Sequence, residues 1–130
     1  MHLLKDFYNY VENHGMDRER IYEDQGEGMS LVSFSELGEE NCVYNVALIF
    51  YDNDIDVEVY IRKELKKYNE YDLLKQLNEL NANYRGITFF IDDKMLTVKS
   101  YCMVDGQLEC VLKELAADMQ VARKEFGKLD

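Results

Sequence analysis

The sequence predicts an α+β fold: a mainly antiparallel sheet in the order α-β-β-β-α-β-β-α, with helices packed on the sheet. Several stretches alternate apolar and polar residues and run into one another through short turns, as hairpins do. Three others carry apolar residues at helical spacing. No linker divides the 130 residues, which contain no Pro. The expectation is a single domain, 1–130, long enough to bury roughly two thirds of its unfolded surface.

Leu3, Leu4, Phe7, Tyr8 and Val11 draw one face of a first helix, and Gly15 is placed to end it. In the acidic stretch Asp17 to Gly28, Ile21 and Tyr22 form either a short strand or a loop anchor, and Gln25-Gly26-Glu27-Gly28 reads as a turn. Leu31 to Phe34 reads as a short strand, broken by Gly38-Glu39-Glu40-Asn41. Cys42 to Tyr51 is apolar on both faces, which suits a central strand. After a turn at Asp52-Asn53-Asp54, Ile55, Val57, Val59 and Ile61 alternate with Asp56, Glu58, Tyr60 and Arg62, so one face is buried and one is wet.

Asn69 is placed to cap a second helix, with Asp72 completing a partial capping box and Leu73, Leu74, Leu77 and Leu80 as its stripe. A second hairpin follows: Ile87 to Ile91, a turn at Asp92-Asp93, then Met95 to Val104. Leu96, Val98, Cys102 and Val104 share one face of that last strand. Asp105 is expected to cap a final helix whose stripe runs from Leu108 through Val111, Leu112, Leu115, Met119 and Ala122 to Phe126. At 1.5 Å per residue the stripe is about 27 Å long, enough to cross a sheet.

The formal net charge of −11 is uneven. Residues 1–60 hold 14 acids and three bases, Lys5, Arg18 and Arg20, whereas residues 61–130 hold 12 of each. Acidic loops and a wet strand face keep a protein soluble; the same charge also offers a surface to a basic polypeptide segment. So acidic a chain does not suit direct binding of nucleic-acid phosphates, which needs clustered Lys and Arg. No apolar run approaches the roughly 20 residues that span a bilayer, and the early charges of Lys5 and Asp6 do not suit a secretory signal. The expected location is cytoplasmic.

Chemistry-bearing motifs are few. HExxH, GxSxG and the phosphate-binding P-loop are all missing from the sequence, so enzyme is the weaker class. No catalytic, cofactor-binding or metal residue is assigned and no cofactor is expected. Asp52, Asp54, Asp56 and Glu58 invite comparison with a calcium loop, but counted from Asp52 the sixth position is Val57 instead of Gly and the twelfth is Lys63 instead of Glu. Their alternation places Asp56 and Glu58 on the wet face of a strand. Cys42, Cys102 and Cys110 are odd in number and lack CxxC spacing. Cys102 reads as a small core residue. Cys110, opposite its helix's stripe, reads as exposed; reactivity there would need a His or cation beside it.

The helix Leu73-Leu74-Lys75-Gln76-Leu77-Asn78-Glu79-Leu80-Asn81, the strand pair containing Thr88-Phe89-Phe90-Ile91-Asp92-Asp93 and the long last helix together resemble the YbjN-like family, which is similar in fold to type III secretion chaperones. The resemblance covers most of the chain in element order and Leu73 to Asn81 at motif level. It implies a small cytoplasmic bacterial protein, non-enzymatic, that can dimerise and bind another polypeptide, and it carries over no catalytic residues. Without it, Asn78 and Asn81 read as polar positions near a helix end, placed where they can cap it.

The expected function is therefore a protein-interaction module of chaperone-like architecture. If helices cover one face of the sheet, either Val43, Ala47, Ile49 and Tyr51 or Tyr44, Val46, Leu48 and Phe50 need a second cover, from a dimer partner or a bound peptide, a basic one being suited to the acidic charge. Two other classes remain: an acidic nucleic-acid mimic that occupies a DNA-binding protein, and a carboxylate-metal sensor or enzyme at Asp52, Asp54, Asp56 and Glu58.

Overall fold

Six strands form one antiparallel sheet in the spatial order β1-β2-β3-β4-β6-β5. The computed structural model describes residues 2–38 and 42–129. The elements are α1 (Leu3–Asn13), a 3-10 turn (Arg18–Arg20), β1 (Tyr22–Gly26), β2 (Met29–Leu37), β3 (Val43–Tyr51), β4 (Asp56–Glu64), α2 (Glu70–Asn83), β5 (Ile87–Asp92), β6 (Met95–Met103) and α3 (Leu108–Phe126). The α+β class and the helix-on-sheet arrangement are as the sequence predicts, with one strand more. The break expected at Glu39-Glu40-Asn41 lies outside the described residues.

The added strand is β1. It begins at Tyr22, where the sequence leaves a short strand open, but all five of its residues are exposed, so no apolar alternation marks its length. It forms because Glu27-Gly28, with Gly28 at φ 74, closes a tight turn onto β2 and pairs Gly26 with Met29. β3 and β4 take the middle of the sheet, and Val46, Leu48, Phe50, Val57, Val59 and Ile61 are fully enclosed.

Every helix packs on the same face. Phe7 of α1 meets Phe34 and Phe50, Asn81 of α2 bonds Phe89, and α3 reaches Ser100 and Tyr44 through Asp118 and Phe126. These sheet residues share a face because strand side chains alternate and the register aligns them. Tyr44, Val46, Leu48 and Phe50 are thus the covered set. Val43, Ala47, Ile49 and Tyr51 look the other way: Val43 is exposed, Ile49 and Tyr51 half-buried, and Ala47 enclosed by its neighbours in the sheet.

Helix ends test the local expectations. After α1, Gly15 sits at φ 70 while Met16 N–H bonds Val11 and Gly15 N–H bonds Glu12, a Schellman stop. Asn69 caps α2 by accepting from the Asp72 N–H at 3.0 Å. Asp105, however, does not cap α3. Asp105 and Gly106 are the centre of a tight turn at φ 50 and 71, closed by Gln107 N–H on Val104 O, and Gln107 occupies the cap position without a side-chain bond. An Asp-Gly pair satisfies the turn first, which delays the helix by two residues.

Three side chains also depart from their expected positions. Leu74, placed in the α2 stripe, is 45% exposed, and Leu73 and Leu77 do the burying. Cys110 is half-buried against the core. Asn81 does not act on its own helix: its Nδ2 donates to Phe89 O at 2.9 Å, and its Oδ1 accepts from Phe89 N–H at 2.7 Å.

Candidate functional site: an apolar groove between the first and last helices

α1 and α3 diverge above β2 and β3 and leave a groove of about 650 Å³. Phe7, Tyr10 and Val11 of α1 form one wall; Leu112, Leu115, Ala116 and Met119 of α3 form the other. Phe34 and Val46 floor it, and Met16 and Ile21, in the segment leading to β1, close one end. Sequence periodicity alone explains why these walls are apolar. Val11 and Phe7 lie one turn apart on the buried stripe of α1, and Leu112, Leu115 and Met119 follow α3's stripe. The stripe of α3 is wider than the sheet alone covers, so Leu112 and Leu115 remain half-buried, and Met16 is 49% exposed.

Its charged lining is Asp17, Glu36 and Arg20, and Arg20 lies against Asp17 at 3.8 Å, which leaves Glu36 as the acid not paired with Arg20. Asp17 is held in place because its carboxylate accepts from the Glu19 N–H at 2.9 Å as the cap of the 3-10 turn. Nearby, Tyr8 donates to Glu23 at 2.6 Å and stacks under the Arg18 guanidinium, 4.3 Å from its ring centre. Burial and the Glu23 carboxylate raise the Tyr8 phenol, while that bond and one from Gln25 hold Glu23 below the usual carboxylate range.

The opposite face of the sheet carries a network of tyrosines and carboxylates. Glu58 accepts from Tyr51 at 2.9 Å and from Tyr60 at 2.6 Å, and Lys99 Nζ lies 5.4 Å from the Tyr60 ring centre. Burial followed by the Glu58 bond pushes Tyr60 up to about 12, and the Asp56 carboxylate does the same for exposed Tyr101. Asp56 and Glu58 thus stand on the wet face as expected.

The four carboxylates suggested as a metal site separate. Asp52 is exposed, and Asp56 and Glu58 serve tyrosines. Asp54 folds back onto α1, where Oδ2 accepts from His2 N–H at 3.0 Å and Oδ1 from Leu3 N–H at 3.2 Å. Partial burial opposes ionisation of Asp54, but those two donors and the His2 ring outweigh it and hold the acid below its usual range. Among the described residues, no three His, Cys, Asp or Glu side chains gather as ligands would. Cys102 is half-buried, and burial, then the nearby Glu114 and Asp118 carboxylates, push its thiol up to about 11.

The strand pattern of the sequence points to an unpartnered apolar surface on the sheet. The deeper apolar hollow lies on the helix-covered side instead, because its walls come from residues some 100 positions apart and no local pattern encodes the divergence of α1 and α3. Among the described residues, no helix is long and apolar enough to cross a membrane. A scan against protein-family models, a search of curated proteins and a search of solved structures each return no match.

Proposed function

We propose that this chain is a non-enzymatic, cytoplasmic protein-interaction module, of YbjN-like and chaperone-like character, that seats a basic amphipathic segment of another polypeptide between α1 and α3. The observation that carries the reading is the groove: about 650 Å³, apolar in its walls, with Asp17 and Glu36 at its rim. An amphipathic helix lays its apolar side chains into such a groove and keeps its polar face at the rim. Charge selects the occupant. Most of the groove is built from residues 7–46, within the stretch of sequence that carries the whole −11, so a basic segment is attracted and an acidic one repelled. Three unpaired cysteine thiols suit a reducing compartment.

The test is fluorescence anisotropy with two labelled amphipathic peptides of about 14 residues, roughly four helical turns, one of Lys and Leu and one of Glu and Leu. The Lys/Leu peptide is expected to bind, to weaken as salt rises, and to bind about tenfold more weakly to A116R, since Ala116 is an exposed wall residue where a large cation blocks and repels. Equal binding of both peptides, or an A116R affinity equal to that of the natural sequence, would overturn the reading.

A further inference from the structure

Asp118 lies on the sheet-facing side of α3 with none of its surface exposed. It is the next residue before Met119, which lines the groove, and follows Leu115 by one turn. Its Oδ2 accepts a hydrogen bond from Ser100 of β6. Its other oxygen, Oδ1, is buried and is reached by no hydrogen-bond donor among the described residues. A carboxylate in that position keeps its charge out of water with half of its acceptors unmet, whereas a neutral carboxyl carries no such charge.

We propose that Asp118 is a proton-dependent latch between α3 and the sheet: protonated, it lets the middle of α3 seat against β6, and ionised, it loosens that seat and with it the groove wall formed by Leu115 and Met119.

The surroundings supply almost nothing to stabilise the ionised form. α3 packs on β4, β6 and α1. From β6, Ser100 is the one bonding partner and Cys102 presents a thiol that burial and carboxylates keep neutral. From β4, Val57 and Val59, paired with Cys102 and Ser100, are apolar, and the buried cation of that face, Lys63, is paired with Leu96, four residues along β6 from Ser100. α1 turns Leu3, Phe7, Tyr8 and Val11 inward, and Tyr8 is committed to Glu23. On α3 itself the charged neighbour is Glu114, one turn back, which repels an ionised Asp118 and accepts a hydrogen bond from a protonated one. Burial first, then Glu114, raise Asp118 to about 7 against the Ser100 bond, which lowers it.

Proton linkage couples the protonation of Asp118 to folding. In the folded chain Asp118 keeps its proton up to about pH 7, whereas the opened chain loses it near the ordinary value of 3.8. The folded form therefore binds the extra proton between those values. Its stability from this group is complete below about pH 4, falls as pH rises, and is gone above about pH 7. Each pH unit inside that window multiplies the opening equilibrium by up to about ten.

The test compares the natural sequence with Asp118→Asn and Glu114→Gln. Urea unfolding and α3 amide exchange, corrected for intrinsic exchange, are followed from about pH 5 to pH 7.5. The natural chain is expected to open more readily as pH rises, by more than tenfold across that range, and D118N to lack that component and be the more stable of the two at the upper end. E114Q, which leaves Asp118 and its Ser100 bond in place, is expected to move the transition to lower pH. It keeps the proposal testable should D118N fail to fold. Parallel pH profiles for the natural chain and D118N, or an E114Q profile unshifted from the natural one, would overturn the latch.

The effect on the groove rests on the binding function proposed above, and the two fail differently. If the Lys/Leu peptide binds at no pH, the groove reading falls while the stability profiles still decide the latch. If it binds with the same pH dependence to the natural chain and D118N, the latch's control of the groove falls while the groove reading stands.

Discussion

Single residues in this protein do their work at a distance from where the sequence places them. Asp54 belongs by position to an acidic turn, yet it caps a helix 51 residues earlier, bonding the Leu3 N–H, and its backbone carbonyl accepts from Gly106 at 2.6 Å. One residue therefore fastens the start of α1, the β3–β4 turn and the entry to α3 together. It does so at φ 58, which Asp tolerates better than most residues. Asp54→Ala is expected to cost about 2 kcal/mol, from the lost cap and the left-handed backbone, read as a drop in the urea midpoint with unchanged slope. Because its carboxyl is held low in the folded state, the Asp54 contribution is present above the unfolded value near pH 4 and lost as pH falls through the folded one. Lys94 is the opposite case. It follows Asp93 in the β5–β6 turn at φ 66, where a β-carbon is a liability, so Lys94→Gly is expected to stabilise by about 1 kcal/mol in the same assay. Asn69 was legible as a cap because its partner lies three residues on. Asp54 was not, because its partners are remote in sequence.

At the scale of the element, periodicity set what could be read. The apolar stripe of α3 announced its length, and the alternation in β4 announced its two faces, since each pattern is imposed by burial along the element itself. β1 buries nothing, leaves no pattern, and emerges only through its pairing with β2. The sheet's two edges show a related device. Gly26 and Met29 close the first hairpin, so the Gln25 N–H faces the free side of β1, where the Asp24 carboxylate takes it at 2.9 Å. On β5 the Asn81 side chain answers both the N–H and the C=O of Phe89, standing in for a neighbouring strand. This gives the last Asn of the Leu73 to Asn81 motif a physical task that the helix pattern could not disclose. Asn81→Ala is expected to cost about 1 kcal/mol, since the freed groups at the edge recover some solvation, and to raise self-association, measured by light scattering at high concentration.

Across the whole molecule, the net charge of −11 resolves into two uses. Part of it is internal fastening: Glu23 holds Tyr8, Asp54 holds α1 and Glu58 holds two tyrosines of the open sheet face. Part of it borders the groove, through Asp17 and Glu36. The open face of the sheet is occupied by its own tyrosine–carboxylate bonds, while the groove has apolar walls and no segment of the chain seated in it among the described residues. That contrast directs the binding function to the helix side. The most direct measurement is chemical-shift mapping of the isotope-labelled chain titrated with the Lys/Leu peptide at low salt. Shifts confined to the groove walls around Phe7, Met16, Phe34 and Leu115, reversed by salt, are the predicted result. Shifts centred on Ile49, Tyr60 and Tyr101 of the open face, with the groove resonances unmoved, would contradict it.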